Sequence, residues 1–562
     1  METKNEICKI SKYDELVNYV SEYINHYNTP IPVDMSYNAV IDYLQKYGVS
    51  REVISGNFQN YRTAEAIKQL QEIARDYRKQ NGIYYTPTDV TDFIITNTLA
   101  RYDATDNEIY TCIDHYIKTL SCEKANKIIY EMNIFDPTCG TGDFLWQVVR
   151  IKFRLLSLTD DKPDTKSIIK IFSTIYGNDK DAAALDECKD RLLSMIPPHT
   201  ESGVSESIND ILSDNLTNHD FININKKTFS KKFDAIVGNP PYVEDNISSI
   251  KPIQKYGNIY ANIIQNSIDL LNDGGILGFV IPLSYVSTPR MSKIRTYVEN
   301  STTVQYALNY ADRPSCLFTK VHQKLTILLA RKGNSNGNHV VRTSNYKYWY
   351  KEERNSMFQN TQTIENSYIN NDFYPKIANI NEHNIFGKTY TTNNAESITG
   401  SMGNSLNESL YLNMRATFWI KAFSESQTSS EFKKFDCDSD RKHQLVALLN
   451  SSLFFFHWTC VSDCWHITAK DLKTFKVPQE LFRSKQLITL AKNLENELER
   501  TKVAVYTKQT THEYKHRLCK PVIDEIDDIL AKFYRLTNDE CNYVKNYNSR
   551  YRESKGVSNE SH

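Results

Sequence analysis

Between about residues 81 and 333, short β-rich apolar runs alternate with amphipathic helical stretches, and this alternation restricts the fold more than any other feature of the chain. Candidate strands lie at 132–135, 175–178, 208–212, 234–237, 276–281, 304–309 and 325–330, with candidate helices at 144–156, 182–195, 258–271 and 291–299. Strands separated by helices cannot close as tight hairpins, so they build a mostly parallel sheet covered by the helices. The expected fold class is α/β, with a doubly wound sheet. The last three runs lie closer together, which predicts a hairpin at the sheet's end.

The flanks read differently. Residues 1–75 resemble short helices, broken at Thr29-Pro30-Ile31-Pro32 and at Gly48. From 334 to about 407 the chain turns polar and irregular, so a domain boundary is expected near Gly333. Apolar runs return over 410–478, and 484–500 and 521–532 read as long helices packed on each other through their apolar faces. The last five residues, 558–562, read as a frayed end. The formal net charge is −1, but 34 Lys and Arg against 27 Asp and Glu from Lys320 onward make that part +7 and leave −8 on the first 319 residues. A mildly basic half on an acidic body predicts a localised anionic partner. No apolar run approaches the roughly 18 residues of a membrane span, and the N-terminus lacks a signal-peptide core. A cytoplasmic chain without a membrane partner is expected. Its eleven cysteines, an odd number without framework spacing, predict reduced thiols.

Three strand ends carry the candidate chemistry. After the first run, Asp136-Pro137-Thr138-Cys139-Gly140-Thr141-Gly142-Asp143 turns tightly into a helix, and its glycines allow the backbone to approach a ligand. The spacing is neither a dinucleotide fingerprint nor a phosphate loop. Asp179 ends the second run, where a carboxylate can bind ribose hydroxyls, and Asp214 follows the third, within reach of an adenine amino group. Each acid taken alone reads first as a helix N-cap. Arriving in order at successive strand ends, they suggest one nucleoside-shaped ligand. After the fourth run comes Asn239-Pro240-Pro241-Tyr242. Two prolines cannot continue a central strand, so this turn holds Asn239 rigidly, aims the Pro240 carbonyl outward and offers the Tyr242 ring for stacking.

Together with Gly82-Ile83-Tyr84-Tyr85-Thr86-Pro87 upstream, these motifs resemble the gamma class of S-adenosylmethionine-dependent DNA adenine-N6 methyltransferases of restriction-modification systems. The resemblance runs from about Tyr77 to Arg552 and implies a Rossmann-like methyltransferase sheet over 76–333. It also implies a mixed α+β target-recognition domain over 334–483 and a C-terminal helical segment over 484–562, behind the helical N-terminal region. By the same resemblance Thr86 and Pro87 wrap the methionine part of the cofactor, Asp136, Gly140 and Gly142 lie beneath it, Asp179 binds its ribose and Asp214 its adenine. Asn239, Pro240, Pro241 and Tyr242 are the implied catalytic residues, and Phe318 joins Tyr242 in stacking on the extruded base. The implied partners are S-adenosyl-L-methionine, double-stranded DNA and a separately encoded restriction endonuclease. Residues 447–453 and 467–472 are similar to the end of a recognition domain, and 520–527 through Tyr551-Arg552 to the C-terminal segment of enzymes that combine modification with restriction.

The chemistry is consistent with that role. An adenine amino nitrogen is a poor nucleophile because its lone pair is delocalised into the ring, and two acceptors for its hydrogens would localise the pair. Residues 1–75 lack a nuclease constellation, and Glu187-Cys188-Lys189 reads as a helix surface, so cleavage by this chain is not expected. Transfer to RNA or a protein glutamine, and a non-catalytic DNA-specificity subunit, are the competing readings. His457, Cys460, Cys464 and His466 have only loose metal-ligand spacing, and no metal is expected. Residues 346–351 interleave bases with rings, as either a nucleic-acid surface or a half-buried strand would.

Overall fold

The computed structural model describes residues 86–553 apart from 103–106, 160–163, 198–199, 202, 225–228, 230, 249, 319–320, 335–337, 404–406 and 506–511. The helical region expected over 1–75, the residues 82–85 and the end at 558–562 lie outside the described residues.

A nine-stranded sheet organises the chain in the order β3-β2-β1-β4-β5-β7-β6-β8-β9. The strands are β1 (Ile134–Asp136), β2 (Ile175–Asn178), β3 (Leu216–Thr217), β4 (Phe233–Gly238), β5 (Leu271–Pro282), β6 (Thr302–Tyr310), β7 (Leu325–Lys332), β8 (Val340–Lys347) and β9 (Ile364–Glu365). β3, β2, β1, β4 and β5 run parallel. β7 is antiparallel to both β5 and β6, so the expected hairpin forms, but it lies inside the sheet and not at its end. The central strands are legible as apolar runs because both faces are covered: Ile134, Phe135, Ala235, Ile236 and Val237 are all buried. Helix α1 (Thr88–Arg101) packs on β4, β5 and β7, and α2 (Asp143–Thr159) on β1 and β2. The helices α3 (Ala182–Leu193), α4 (Val204–Asn215), α5 (Tyr260–Leu270) and α6 (Ser292–Ser301) complete the connections.

Two expectations need correction. The run 208–212 is not a strand but part of α4, whose buried residues Val204, Ile208 and Leu212 recur every four positions and so form one helical stripe. β3 itself is only the two residues that follow. The sheet also continues past Gly333: β8 adds parallel to β6 and β9 antiparallel to β8, so the boundary expected there falls inside the sheet. β8 escapes a hydrophobicity reading because its buried positions include Thr343 and Ser344. Thr343 is satisfied by donating to the Ile377 carbonyl (2.8 Å) and accepting from Asn366 (3.0 Å). Tyr346, Tyr348 and Trp349 are buried, so the aromatic stretch is core and not an open nucleic-acid surface.

Beyond the sheet, a three-stranded antiparallel unit at 408–437 adjoins the helices α7 (Lys442–Asn450) and α8 (Ser452–Val461), then α9 (Lys485–Thr501) and α10 (Lys520–Phe533). α9 and α10 pack on each other, as their spacing implies. Among the described residues no single helix is long and apolar enough to cross a membrane. The bent pair α7–α8 reaches that composition, but all ten residues of α8 are buried in the protein.

His457 on α8 is fully buried, stacks on Phe386 at 5.1 Å and lies within hydrogen-bonding distance of the Thr389 and Thr474 hydroxyls (2.8 and 3.1 Å). Burial, with Lys470 nearby, pushes its imidazole from 6.5 down to about 3. The unfolded chain therefore takes up this proton first, and the His457 contribution to stability is lost as pH falls from 6.5 towards about 3. The difference in unfolding free energy between the parent and His457→Phe should change by about 1.4 kcal/mol per pH unit in that window. Urea unfolding of both proteins at pH 7, 6 and 5 measures it, and a constant difference would contradict a neutral buried imidazole.

Candidate active site

The strand order reverses between β1 and β4, and the crevice at such a point, outside the carboxyl ends of the strands, is where open α/β sheets bind ligands. Asp136 ends β1 and Gly238 ends β4. A Cβ on Gly238 would lie 2.7 Å from Asp136 Oδ1, so a larger residue there would push the carboxylate aside. That close approach brings the two turns together.

The β1 turn is held by its neighbours. Asp136 Oδ1 accepts from the Thr138 N–H (3.1 Å), and the Cys139 N–H donates to the Asn178 carbonyl (2.9 Å). Asp179 accepts from the Gly140 N–H (2.8 Å) and the Asp181 N–H (2.9 Å). Gly142 takes φ +88°, and a Cβ on it would sit 2.5 Å from Cys188 Sγ of α3. Gly140, at φ +51°, faces open space, and the buried Thr138 hydroxyl has no partner. The turn is thus a cradle with a polar lining.

Electrostatics mark the same place. Burial pushes the Asp136 carboxyl well above the ordinary carboxylate range, and Asp179 and Asp143 add like-charge repulsion. Burial also raises Asp179, against the N–H groups of Asp181 and Gly140, and raises Asp143, against Arg191. Arg191 from α3 donates to the Thr141 carbonyl (2.7 Å) and to Asp143 (3.0 Å), clamping the far side of the turn. Three crowded acids with one guanidinium among them favour a cationic ligand.

The β4 turn carries Asn239. Its Nδ2 donates to Thr86 Oγ1 (3.0 Å), so the amide is oriented with Oδ1 turned away, where the Tyr242 hydroxyl donates to it. The same hydroxyl lies 2.9 Å from the Val280 carbonyl, and the Tyr242 ring meets Tyr260 edge-on at 6.4 Å. Pro240 is buried and Pro241 half-buried. Thr86 is buried, and its N–H donates to Asp143. Pro87 caps α1, its carbonyl accepting from Val90 and Thr91. One segment therefore ties both turns together.

Thr86, Pro87, Asp136, Gly140, Gly142, Asp179 and Asn239 through Tyr242 all meet at this crevice. Asp214 does not: it is exposed in the last turn of α4, ahead of β3, because α4 extends to Asn215. The residues that leave β3 are Asn218, His219 and Asp220. Asn218 donates to the Asp179 carbonyl (2.9 Å). Phe318 is only 1% exposed, so it presents no open ring face as the chain stands. Its loop is fastened by Arg354, which pairs with Asp89 of α1 through two hydrogen bonds (2.8 and 2.9 Å) and donates to the Leu317 carbonyl (2.8 Å).

Sequence reasoning passed over Asn178, Arg191 and Arg354. Asn178 is fully buried at the β2 tip, donates to the Pro137 and His219 carbonyls (3.0 and 3.1 Å) and so joins three strand ends. Its place directly before Asp179 was the available signal. Arg354 acts 265 positions away from Asp89, where no local pattern points. Among the described residues no group of three His, Cys, Asp or Glu could hold a metal ion. Cys460 and Cys464 are buried thiols, and His466 pairs with Asp463 (2.9 Å).

Residues 173–315 match the family model described as Eco57I restriction-modification methylase. The chain is 21% identical over 344 residues to the Type II restriction enzyme and methyltransferase RM.Eco57I of Escherichia coli, which covers 53% of this chain and 32% of that protein. It is 24% identical over 196 residues to the Type II methyltransferase M.BstVI of Geobacillus stearothermophilus, covering 33% and 34%. The matches thus span about a third of the length of these curated relatives. Among solved structures, the Type IIL restriction-modification enzyme MmeI in complex with DNA aligns with a TM-score of 0.46 at 10% identity, over 78% of each chain.

Proposed function

We propose that this chain, related through residues 173–315 to the restriction-modification methylases, methylates N6 of an adenine swung out of duplex DNA, with S-adenosyl-L-methionine as donor. The observation that carries the reading is the Asn239 amide, pinned by Thr86 at the crevice where the acid-lined cradle lies. The cradle suits the cofactor: Gly140 faces open space, Thr138 Oγ1 lacks a partner, and the crowded acids match a ligand with an ammonium and a sulfonium. Bound there, S-adenosyl-L-methionine supplies an activated methyl group.

The protein's part is alignment and fixed dipoles. Asn239 Oδ1 and the Pro240 carbonyl accept the two N6 hydrogens and localise the nitrogen lone pair. Thr86 keeps the amide oxygen on the base side. Tyr242 supplies a ring against the base, and Phe318 adds a second only if its loop shifts. Asp179 holds ribose hydroxyls, and Asp220, leaving β3, takes the role expected of Asp214. Residues beyond β9 form the recognition region.

The purified chain, tritiated S-adenosyl-L-methionine and unmethylated plasmid DNA test this, with total RNA and lysate protein in parallel. N6-methyladenine in the digested DNA is expected. Label confined to RNA or protein, or no transfer, would overturn the proposal. In calorimetry, Asp179→Ala should weaken cofactor binding about tenfold to a hundredfold, as loss of a charged hydrogen-bond acceptor does. Unchanged affinity would remove Asp179 from the cofactor site.

A further inference from the structure

The loop that follows the Asn239–Tyr242 turn carries two isoleucines that the protein does not cover. Ile253 is 87% exposed and Ile247 69%, two of only six large apolar side chains exposed among the described residues. The loop around them is tightly built. Its base closes where the Ile259 N–H donates to the Val243 carbonyl (2.9 Å), one residue beyond Tyr242. Gly257 donates to Asp245 (2.6 Å), and Asn262 donates to the Gln254 carbonyl (2.7 Å). Asn223 accepts from the Ile253 N–H (2.9 Å) and donates to the Lys251 carbonyl (2.9 Å). Pro252 and Tyr256 turn inward and are buried, while Lys251, Ile253 and Lys255 are exposed. Arg290, after β5, pairs with Glu244 at the loop's base (3.1 Å). The loop therefore stands on the carboxyl edge of the sheet, fastened on one side to the chain leaving β3 and on the other to the chain leaving β5.

Such a frame presents an apolar tip between two ammonium groups, beside the catalytic turn. Resting on the reading as a DNA adenine methyltransferase, we propose that Ile253, assisted by Ile247, is a wedge that enters the base stack where the target adenine leaves it. Lys251 and Lys255 then pair with the flanking phosphates. Extruding a base leaves an apolar gap between its neighbours, and branched aliphatic side chains are suited to occupy it. The ammonium groups suit the backbone beside that gap, and they give the loop an anionic occupant in preference to an apolar protein surface.

Two double variants of the full chain test this on unmethylated plasmid DNA: Ile247→Ala with Ile253→Ala, and Lys251→Ala with Lys255→Ala. Both should bind S-adenosyl-L-methionine as the parent does, since these side chains lie on the outside of the loop. The isoleucine variant is expected to lose about tenfold or more in methylation rate while DNA affinity changes by less than about threefold, because the wedge acts on the extruded state. The lysine variant should bind DNA more weakly, with a log-log salt slope smaller by about 2. An isoleucine variant that methylates at the parent rate overturns the wedge. So does one whose DNA affinity falls as far as its rate, since the isoleucines would then be a docking contact. If the parent itself transfers no methyl group to plasmid DNA, the reading under Proposed function fails and the wedge with it, whereas the first two outcomes leave that reading intact.

Discussion

Asn239→Ala should lower methyl transfer to duplex DNA by about a hundredfold to a thousandfold, the usual effect of deleting one fixed dipole at a reacting centre. S-adenosyl-L-methionine affinity should hardly change, because the β1 cradle is built from Asp136, Gly140 and Asp179 and does not depend on the amide. The loss should therefore appear in kcat and not in cofactor binding. Asn239→Asp separates two explanations. It keeps an acceptor oxygen but loses the donor that anchors the side chain to Thr86 (3.0 Å), so partial activity means acceptance matters more than anchoring. Thr86→Val is the complementary change: it removes the contact on Asn239 Nδ2 and leaves the amide held through Oδ1 by the Tyr242 hydroxyl, so a smaller loss than in Asn239→Ala is expected. If Asn239→Ala methylated adenine at the parent rate, the proposed mechanism would fail outright. Tritium incorporation under single-turnover conditions, beside calorimetry, gives both quantities.

Arg552→Ala should cost about 3–5 kcal/mol of stability, the range for truncating a large, fully packed side chain. Arg552 is 3% exposed, donates to the Phe418 carbonyl (3.0 Å) and lies 4.0 Å from the Trp419 ring centre and 4.3 Å from that of Phe455. Burial lowers its guanidinium to about 10, and the field of Asp527 works against that. Asp527 is buried too, accepts from the N–H groups of Ser452 and Leu453 (3.2 and 3.1 Å) at the start of α8, and is raised to about 6 chiefly by burial. Losing Arg552 would empty a space between two aromatic rings and remove the cation whose field favours the Asp527 carboxylate. Arg552→Lys should recover only part of the loss, since an ammonium does not stack as a planar guanidinium does. Equilibrium urea unfolding measures both variants, and a shift below about 0.5 kcal/mol in Arg552→Ala would make it an ordinary surface position. The segment read as similar to the end of a modification-restriction enzyme is thus, in physical terms, a clamp that caps α8 and ties α10 to it.

The central sheet and the two turns that define the site were legible in the chain alone. Parallel strands buried on both faces must be nearly continuous apolar runs, and Asn239-Pro240-Pro241-Tyr242 can occupy few places in a sheet other than a strand end. The sequence misled where the signal was shorter than the structure it implied. Within 208–212 the apolar residues Ile208, Ile211 and Leu212 already stand at helical spacing, and their stripe with Val204 makes the run a helix. Asp214 followed that error, since α4 leaves it ahead of β3 and not at its tip. β8 was hidden because buried threonine and serine positions look like loop until their hydrogen-bond partners are known.

What depends on distant partners emerges only once the chain is folded. Thr86 orients Asn239 from 153 positions away, and Arg354 ties Asp89 to the Phe318 loop across 265. Such contacts leave no period or spacing in the chain, because a hydrogen bond requires atoms within about 3 Å and sets no condition on sequence separation. The alternation of strands and helices decides where the site must lie. The folded chain decides which side chains face it.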